Sequence, residues 1–599
     1  MRKLITAAAL LGLSVGASAY ELNILHINDH HSHLQTNRLD LKLDGKRTRV
    51  AAGGFASVTA AFAELGAGKS NLLKLHAGDA ITGDLYYTLF KGEADAALMN
   101  TVCFDAFALG NHEFDDGDAG LAKFLDHLRT EQCATPVLAA NVKPEVGKSA
   151  LAKQSSSDYL QGSVVLERGG QKIGVVGIDI ANKTKNSSSP DASTQFLDET
   201  TSAQAEIDKL VAAGVKKIVL LTHYQYKNDL KLAAKLSDVD VIVGGDSHTL
   251  LGNRFADVGL NTGGEYPTRV NNKAGEPVCV VQAWEYGNVV GELSVTFDGD
   301  KVADCAGTPH LLLADSFKRK NDKRKRVELE GDARARVVAQ VDAHPYLRIT
   351  TPDADAYALL EGYKKQVNSL KAAKIGKASA TLCLERIPGQ GKSKHCEKTQ
   401  TDSNGSDISN VVAKAFLRMA KTSDIAIQNG GGVRVDLLEG DVTIGDAYTL
   451  LPFANTLTEL KLSGAEIKAV LEEALDYALS EGGSTGAYPY ASGLRWHVDA
   501  SQARGERLMK LQVNSRMAGQ WTTLNPQRTY RVVTNSYIAG GKDGYKTFGT
   551  VSKRGDAEDT YLDYAQSFVD YVKQVGTIDK LPMGEYSTQS FTNKDGKLQ

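Results

Sequence analysis

Residues 25–34 read LHINDHHSHL, and this stretch decides how the first half of the chain is understood. An apolar run, residues 22–27, ends in Asn28 and Asp29, and four histidines, His26, His30, His31 and His33, crowd the same few positions. If the extended conformation persists past the strand end, side chains alternate, so Asp29 and His31 share one face and His30 takes the other. Asp29 and His31 are then the better pair for a metal. A lone histidine in a loop is ordinarily a surface residue, so the pair needs partners elsewhere. They occur in HAGD (Asp79), LGNHEFD (Asn111 and His112), LTHY (His223) and GGDSH (Asp246 and His248), and each follows a strand-like apolar run.

These runs alternate with helix-like segments such as 55–65 and 201–213, the rhythm of an α/β domain whose polar residues gather at one edge of a sheet. The chain has 599 residues, of which 42% are hydrophobic, enough for two or three domains with full cores. Its formal charge of −3 provides no electrostatic footprint for a nucleic-acid polymer. Arg2 and Lys3, the apolar run 4–15 and the small residues 17–19 have the pattern of a signal peptide cleaved near Ala19, too short to span a bilayer. No later stretch reads as a membrane span, and the expected location is periplasmic or secreted. The six cysteines fall into sequence-near pairs, Cys103 with Cys133, Cys279 with Cys305, and Cys383 with Cys396. No CxxC spacing points to a zinc knuckle, so disulfides are expected.

From about Leu311 to Ala343 the chain turns highly charged, with acids following bases at helical spacing, which predicts a linker helix. The expected organisation is a signal peptide over 1–19, a first domain over 20–310, a linker helix over 311–345 and a second domain over 346–599. In the second domain helices are expected near 406–421 and 464–481 and a strand near 530–534. The loop IQNGGGVRVDL puts Asn429 before three glycines and Arg434 after them, where backbone can approach an anion and a guanidinium can contact phosphate.

In order and spacing, NDHH, GD, GNHEFD and GGDSH resemble the calcineurin-like metallophosphoesterases, and nearly the whole mature chain resembles the exported bacterial 5′-nucleotidases and UDP-sugar hydrolases. The resemblance implies an N-terminal metallophosphoesterase β-sandwich flanked by helices and a C-terminal α/β substrate-binding domain. It implies one metal held by Asp29, His31, Asp79 and His248, and a second held by Asp79, Asn111, His223 and Asp246. His112, oriented by Asp115, is the implied catalytic dyad. Mixed oxygen and imidazole ligands suit Zn²⁺, Mn²⁺ or Co²⁺, with Mg²⁺ also open, and a metal pair ~3.5–4 Å apart can hold a hydroxide nucleophile. Asp246 stands where the family usually has histidine. The extra carboxylate lowers the formal charge of ligands plus two divalent ions from +2 to +1 and favours ions content with oxygen.

LPFANT and NSYIAGGKDGY also occur in the family's order, so Phe453 and Tyr537 match its base-stacking pair, Asp543 its ribose contact and Asn429 a contact near the base. Relatives carry arginines for the substrate phosphates just before a helix, but the corresponding stretch here, TDSNGSDISNVV, has no base at all. Upstream, CLERIPGQGKSKHC presents Arg386, Lys392 and Lys394. Arg386 is favoured with Arg434 as the anion clamp, because a planar guanidinium suits phosphate. The expectation is an exported dimetal 5′-nucleotidase acting on nucleoside monophosphates. UDP-sugar or NAD pyrophosphatase activity, 2′,3′-cyclic nucleotide phosphodiesterase activity and a nucleotide-binding surface protein remain as alternatives.

Overall fold

A computed structural model describes residues 19–322, 325–453, 455–480 and 484–599. The expected signal peptide, but for Ala19, lies outside the described residues. The chain divides into two compact units. The first comprises residues up to Ile81, Gly92–Thr184 and Ser188–Leu360; the second comprises Thr82–Lys91, Lys185–Ser187 and Glu361–Gln599.

Two large sheets and a two-stranded one, Val142–Pro144 with Thr194–Phe196, form the first unit. In one, Tyr20–Ile27 runs parallel to Leu72–His76, which is parallel to Ala106–Ala108, while Val289–Asp298 lies antiparallel on the other side. In the second sheet Gln171–Asp179, Lys217–His223, Val241–Gly244 and Pro277–Gln282 are all parallel. The parallel strands read as nearly continuous apolar runs because both faces are covered, with Leu22, Ile24, Leu73 and Leu75 sharing one core with Val175, Ile218, Leu220, Val241 and Val280. The result is a β-sandwich, and helices including Phe55–Gly66, Gly117–Leu128 and Glu199–Ala212 flank it. Registers such as Ile27 opposite His76, and His76 opposite Phe107, bring the carboxyl ends of neighbouring strands level. In parallel sheets that edge is where ligands bind.

The linker helix is corrected. Lys301–Lys320 is a 20-residue strand whose first part, up to Leu311, pairs antiparallel with Val289–Asp298 and whose second part pairs antiparallel with Lys46–Ala52, and helix occupies only Gly331–Ala343. Charge spacing suggested a helix, but Leu311, Leu312, Leu313 and Phe317 are all buried, and sheet pairing overrides a weak local preference. The basic run Lys318–Lys320 pairs with Arg326–Glu328 as two antiparallel strands. Leu347–Ile349 then adds in parallel to Leu311–Leu313, so the first unit continues to Leu360 rather than ending near 310.

In the second unit a five-stranded sheet carries Ile425–Asn429 between Pro489–Ser492 and Thr529–Asn535, with Thr456–Ser463 and Ala557–Asp563 beyond. Helices Asp407–Met419 and Gly464–Leu479 fall where expected, each started by a serine whose hydroxyl accepts from the third residue's N–H. The segment TDSNGSDISNVV, without bases, has structural work. Ser406 caps the helix, Asp407 accepts from the Cys383 N–H and the Tyr586 hydroxyl, and Asn404 donates to the Thr588 carbonyl. All three expected disulfides are present. Among the described residues no helix is long and apolar enough to cross a membrane.

Candidate functional site

Every expected ligand sits at or just beyond the carboxyl end of a strand of the first unit. Asp29 follows Tyr20–Ile27, Asp79 follows Leu72–His76, Asn111 follows Ala106–Ala108, His223 ends Lys217–His223, and Asp246 and His248 follow Val241–Gly244. The backbone there is not extended. Asp29, His31, Asp79, Asp246 and His248 all have positive φ, between 45° and 70°. Asp29 and His31 do come together, but a left-handed turn, not strand periodicity, aims them at each other. Such residues cost on the order of 1–3 kcal/mol each and persist where the surroundings enforce them, characteristically at functional sites.

Three buried groups of side chains could each hold a metal ion: Asp29, His31 and His248; Asp29, Asp79 and His223; and His31, Asp79 and His112. Nε2 of His31 lies 3.1 Å from Nε2 of His248, Asp79 Oδ2 lies 2.9 Å from Nε2 of His223 and 3.5 Å from Nε2 of His31, and Asp29 Oδ1 lies 3.2 Å from Nε2 of His248. The donors fit a pair of divalent cations. Asp79 Oδ2, His223 Nε2, Asp246 Oδ2 and both polar atoms of the Asn111 amide are buried without a hydrogen bond, a cost that proteins rarely accept unless something binds there. Burial opposes charge on His223, yet Asp79 and Asp29 hold its pKa well above the ordinary histidine value. The same carboxylate field would favour a dication. His31, by contrast, is pushed well below its ordinary value by burial, which keeps the ring neutral as a ligand requires.

Surrounding groups fix the ligands. His223 Nδ1 donates to the Ala77 carbonyl at 2.8 Å, and His248 Nδ1 donates to Glu285 at 2.8 Å, leaving each Nε2 directed into the cage. A side chain on Gly78 would place its Cβ 2.5 Å from His223 Nδ1, so glycine there is required both by its φ of 90° and by the packed imidazole. Glu113, unassigned by motif reasoning, is fully enclosed. One of its oxygens accepts from the N–H groups of Asp79 and Gly110 and the other from that of Ala80, which ties the Asp79 and Asn111 loops together. Burial raises its pKa to about 7.

His112 Nδ1 lies 2.6 Å from Asp115 Oδ2, and its backbone N–H donates to Asp79 Oδ1 at 2.9 Å. Burial disfavours the imidazolium, but the Asp115 and Asp79 carboxylates outweigh it and push the His112 pKa up to about 9. Asp246 belongs to none of those three groups, and it is the expected ligand whose surroundings differ most from expectation. Its Oδ1 forms a buried ion pair with Lys183, and the ammonium offsets the negative charge that sequence bookkeeping assigned to this position. The remaining histidines of the opening stretch are structural. His26 hydrogen-bonds Tyr266, His30 links His76 to Asp95, and His33 packs its ring 4.0 Å from that of Tyr286.

The second unit contains a cavity of about 470 Å³, the scale of a small-molecule site. Arg386, Asn429, Arg434, Phe453, Tyr537 and Asp543 all line it, with Asn455 and Ser484, which motif reasoning did not single out. Phe453 and Tyr537 are 43% and 44% exposed, unusual for large aromatics with only packing roles. Asn429 donates to Asp543 Oδ2 at 3.0 Å, and the Tyr537 hydroxyl donates to Oδ1 at 3.2 Å. The Arg434 guanidinium stands over the Phe453 ring and donates to the Gly431 carbonyl. Burial and then Arg434 lower the Arg386 pKa, so two like charges face one hollow. Glu385, fully buried, accepts from the N–H groups of Arg386, Gly391 and Lys392 and so organises the disulfide loop. Lys392 and Lys394 line a neighbouring hollow instead.

Comparison with known proteins agrees with this geometry. Residues 22–250 match the family model described as calcineurin-like phosphoesterase, and residues 374–550 match that of the 5′-nucleotidase C-terminal domain. Fold and cage together define a metal-dependent hydrolase of phosphoric esters. The chain belongs to the 5′-nucleotidase family. It is 40% identical over 562 residues to the NAD 5′-nucleotidase of Haemophilus influenzae, covering 93% of this chain and 90% of that protein. It is also 40% identical over 566 residues to a probable 5′-nucleotidase of Treponema pallidum, covering 93% and 92% of the two chains. The solved structure of the Haemophilus influenzae NAD nucleotidase superposes with a TM-score of 0.85 at 39% identity, over 96% of this chain and 99% of that one.

Proposed function

We propose that the protein hydrolyses nucleoside 5′-monophosphates to nucleoside and phosphate, and that it does so after export. One observation carries the reading: a chain with a carboxylate and imidazole cage also builds a nucleotide-sized cavity with two exposed aromatic rings and two arginines. The disulfides support an oxidising compartment, in keeping with the signal-peptide pattern at the N-terminus.

Asp29, His31, Asp79 and His248 would hold one divalent cation and Asp79, Asn111, His223 and Asp246 the other, with Zn²⁺, Mn²⁺ or Co²⁺ the candidates suited to the donor set. When bound, such a pair supplies Lewis acidity toward phosphoryl oxygens and a nucleophile at neutral pH. His112, held by Asp115, donates a hydrogen bond or proton to the oxygen on which charge develops. In the second unit Phe453 and Tyr537 offer faces to the base, Asn429 a polar contact beside it, and Asp543 an acceptor for ribose hydroxyls. Arg386 and Arg434 attract phosphate. The close match to an NAD 5′-nucleotidase favours a second reading, in which the same centre also cleaves the pyrophosphate of a dinucleotide.

Product analysis of the purified protein with AMP, NAD, UDP-glucose and cyclic AMP tests both. Adenosine and phosphate are expected from AMP, with activity lost on chelation and restored by added Mn²⁺, Zn²⁺ or Co²⁺. Release of AMP from NAD establishes the second reading. Cleavage of cyclic AMP alone would make the enzyme a phosphodiesterase, and AMP binding without turnover in metal-loaded protein would make it a binding protein. Arg434→Ala and Arg386→Ala are each expected to raise KM for AMP, with a smaller effect on inhibition by adenosine. Wild-type kinetics in Arg386→Ala would leave Arg434 as the sole clamp.

A further inference from the structure

A buried lysine stands beside the metal cage. Lys183 lies on the short helix Ala181–Ser187 with its side chain 1% exposed, and its ammonium pairs with Oδ1 of Asp246, itself 0% exposed. Lysine is almost never buried this fully unless it is paired, because removing the ammonium from water costs on the order of several kcal/mol. Its partner belongs to the cage. Asp246 Oδ1 lies 3.6 Å from His223 Nε2, and the Asp246 backbone N–H donates to both Asp29 oxygens, at 3.1 and 3.2 Å. The other carboxylate oxygen, Oδ2, is buried and has no hydrogen bond.

We propose that Lys183 is the charge-compensating residue of this metal site: its ammonium holds Asp246 through Oδ1, leaves Oδ2 for a divalent cation, and cancels the carboxylate's charge. The inference rests on the reading of Asp246 as a metal ligand. Three carboxylates, Asp29, Asp79 and Asp246, bring two divalent ions to a formal +1, and Lys183 returns the cluster to +2. The Asp246–Lys183 pair thus acts as a neutral ligand. The metals keep their electron-withdrawing strength toward phosphate at the cost of looser retention, since a fixed cation repels them. This sign separates compensation from simple support. An outer residue that only orients its ligand costs roughly 10–100-fold in metal affinity when removed. A compensating cation does the opposite.

The test is Mn²⁺ titration of chelator-treated full-length protein, followed by the paramagnetic resonance of free Mn²⁺, for wild type, Lys183→Met, Asp246→Asn and the double variant. Lys183→Met is expected to bind Mn²⁺ at least about tenfold more tightly, the least that removing a unit charge several ångströms from a dication gives even at the dielectric constant of water. Asp246→Asn is expected to bind it roughly 10–100-fold more weakly. The double variant, neutral for neutral, should return to within about threefold of wild type, because removing the lysine restores what removing the carboxylate's charge takes away. Folded Lys183→Met with weakened Mn²⁺ binding, and a double variant carrying both losses, would make the lysine a scaffold and overturn the proposal. If Lys183→Met alone does not fold, the double variant decides: near-wild-type affinity supports compensation, and weak binding or failure to fold refutes it. Unchanged affinity in Asp246→Asn would remove Asp246 from the ligand set, and absence of Mn²⁺ binding by wild type would refute the metal centre itself.

Discussion

Replacement of His112 by alanine is expected to lower kcat for AMP by roughly 10²–10⁴, the range for a general acid–base group, while the protein keeps its metal. The magnitude follows from the geometry. Burial disfavours the imidazolium, but Asp115 at 2.6 Å fixes the ring and favours its protonated form. A protonated ring beside the cage assists only where charge develops, so KM should change little. Asp115→Asn should fall in the same direction by less, because the imidazole remains but loses its orienting charge. Elemental analysis is the decisive control. His112 also groups with His31 and Asp79 closely enough to hold an ion, so loss of metal from His112→Ala would make it a ligand instead.

Asp79→Asn is expected to have the larger effect, a fall in kcat of more than about 10³ accompanied by loss of at least one metal per chain. Asp79 Oδ2 stands 2.9 Å from Nε2 of His223 and 3.5 Å from Nε2 of His31, so one oxygen faces rings assigned to both cations. Asparagine keeps the shape and Oδ1's bond from the His112 N–H but removes the charge that two dications would share. Because the Asp79 N–H still donates to Glu113, the loop should hold its place and thermal unfolding of the metal-free protein should change little. Metal content and activity measured on the same preparation check the claim. Full metal content with full activity would show that Asp79 does not bridge.

The strand ends were legible because each ligand follows a run of apolar residues, and a run of apolar residues is itself the signature of a strand buried on both faces. Phe453, Tyr537, Asp543, Asn429 and Arg434 were legible for a different reason: their motifs occur in a family's order. The charged stretch after Leu311 misled because i to i+4 charge spacing is a local property, whereas its pairing with Lys46–Ala52, more than 250 residues earlier, is not. A weak helical preference lost to buried leucines on a sheet.

Glu113 and Lys183 mark the limit of local reading. Glu113 lies inside a quoted motif, yet its task is to accept N–H groups from a loop more than thirty positions earlier. Lys183 pairs with a carboxylate 63 residues away, inside a segment without periodicity or motif. By itself the sequence determined which polar residues end the strands, hence the candidate donors, the chemistry they can support and the family. Tertiary structure alone decided which turns adopt positive φ, which donors meet, and where a buried cation balances a carboxylate, because burial and long-range charge pairing depend on neighbours that chain order does not reveal.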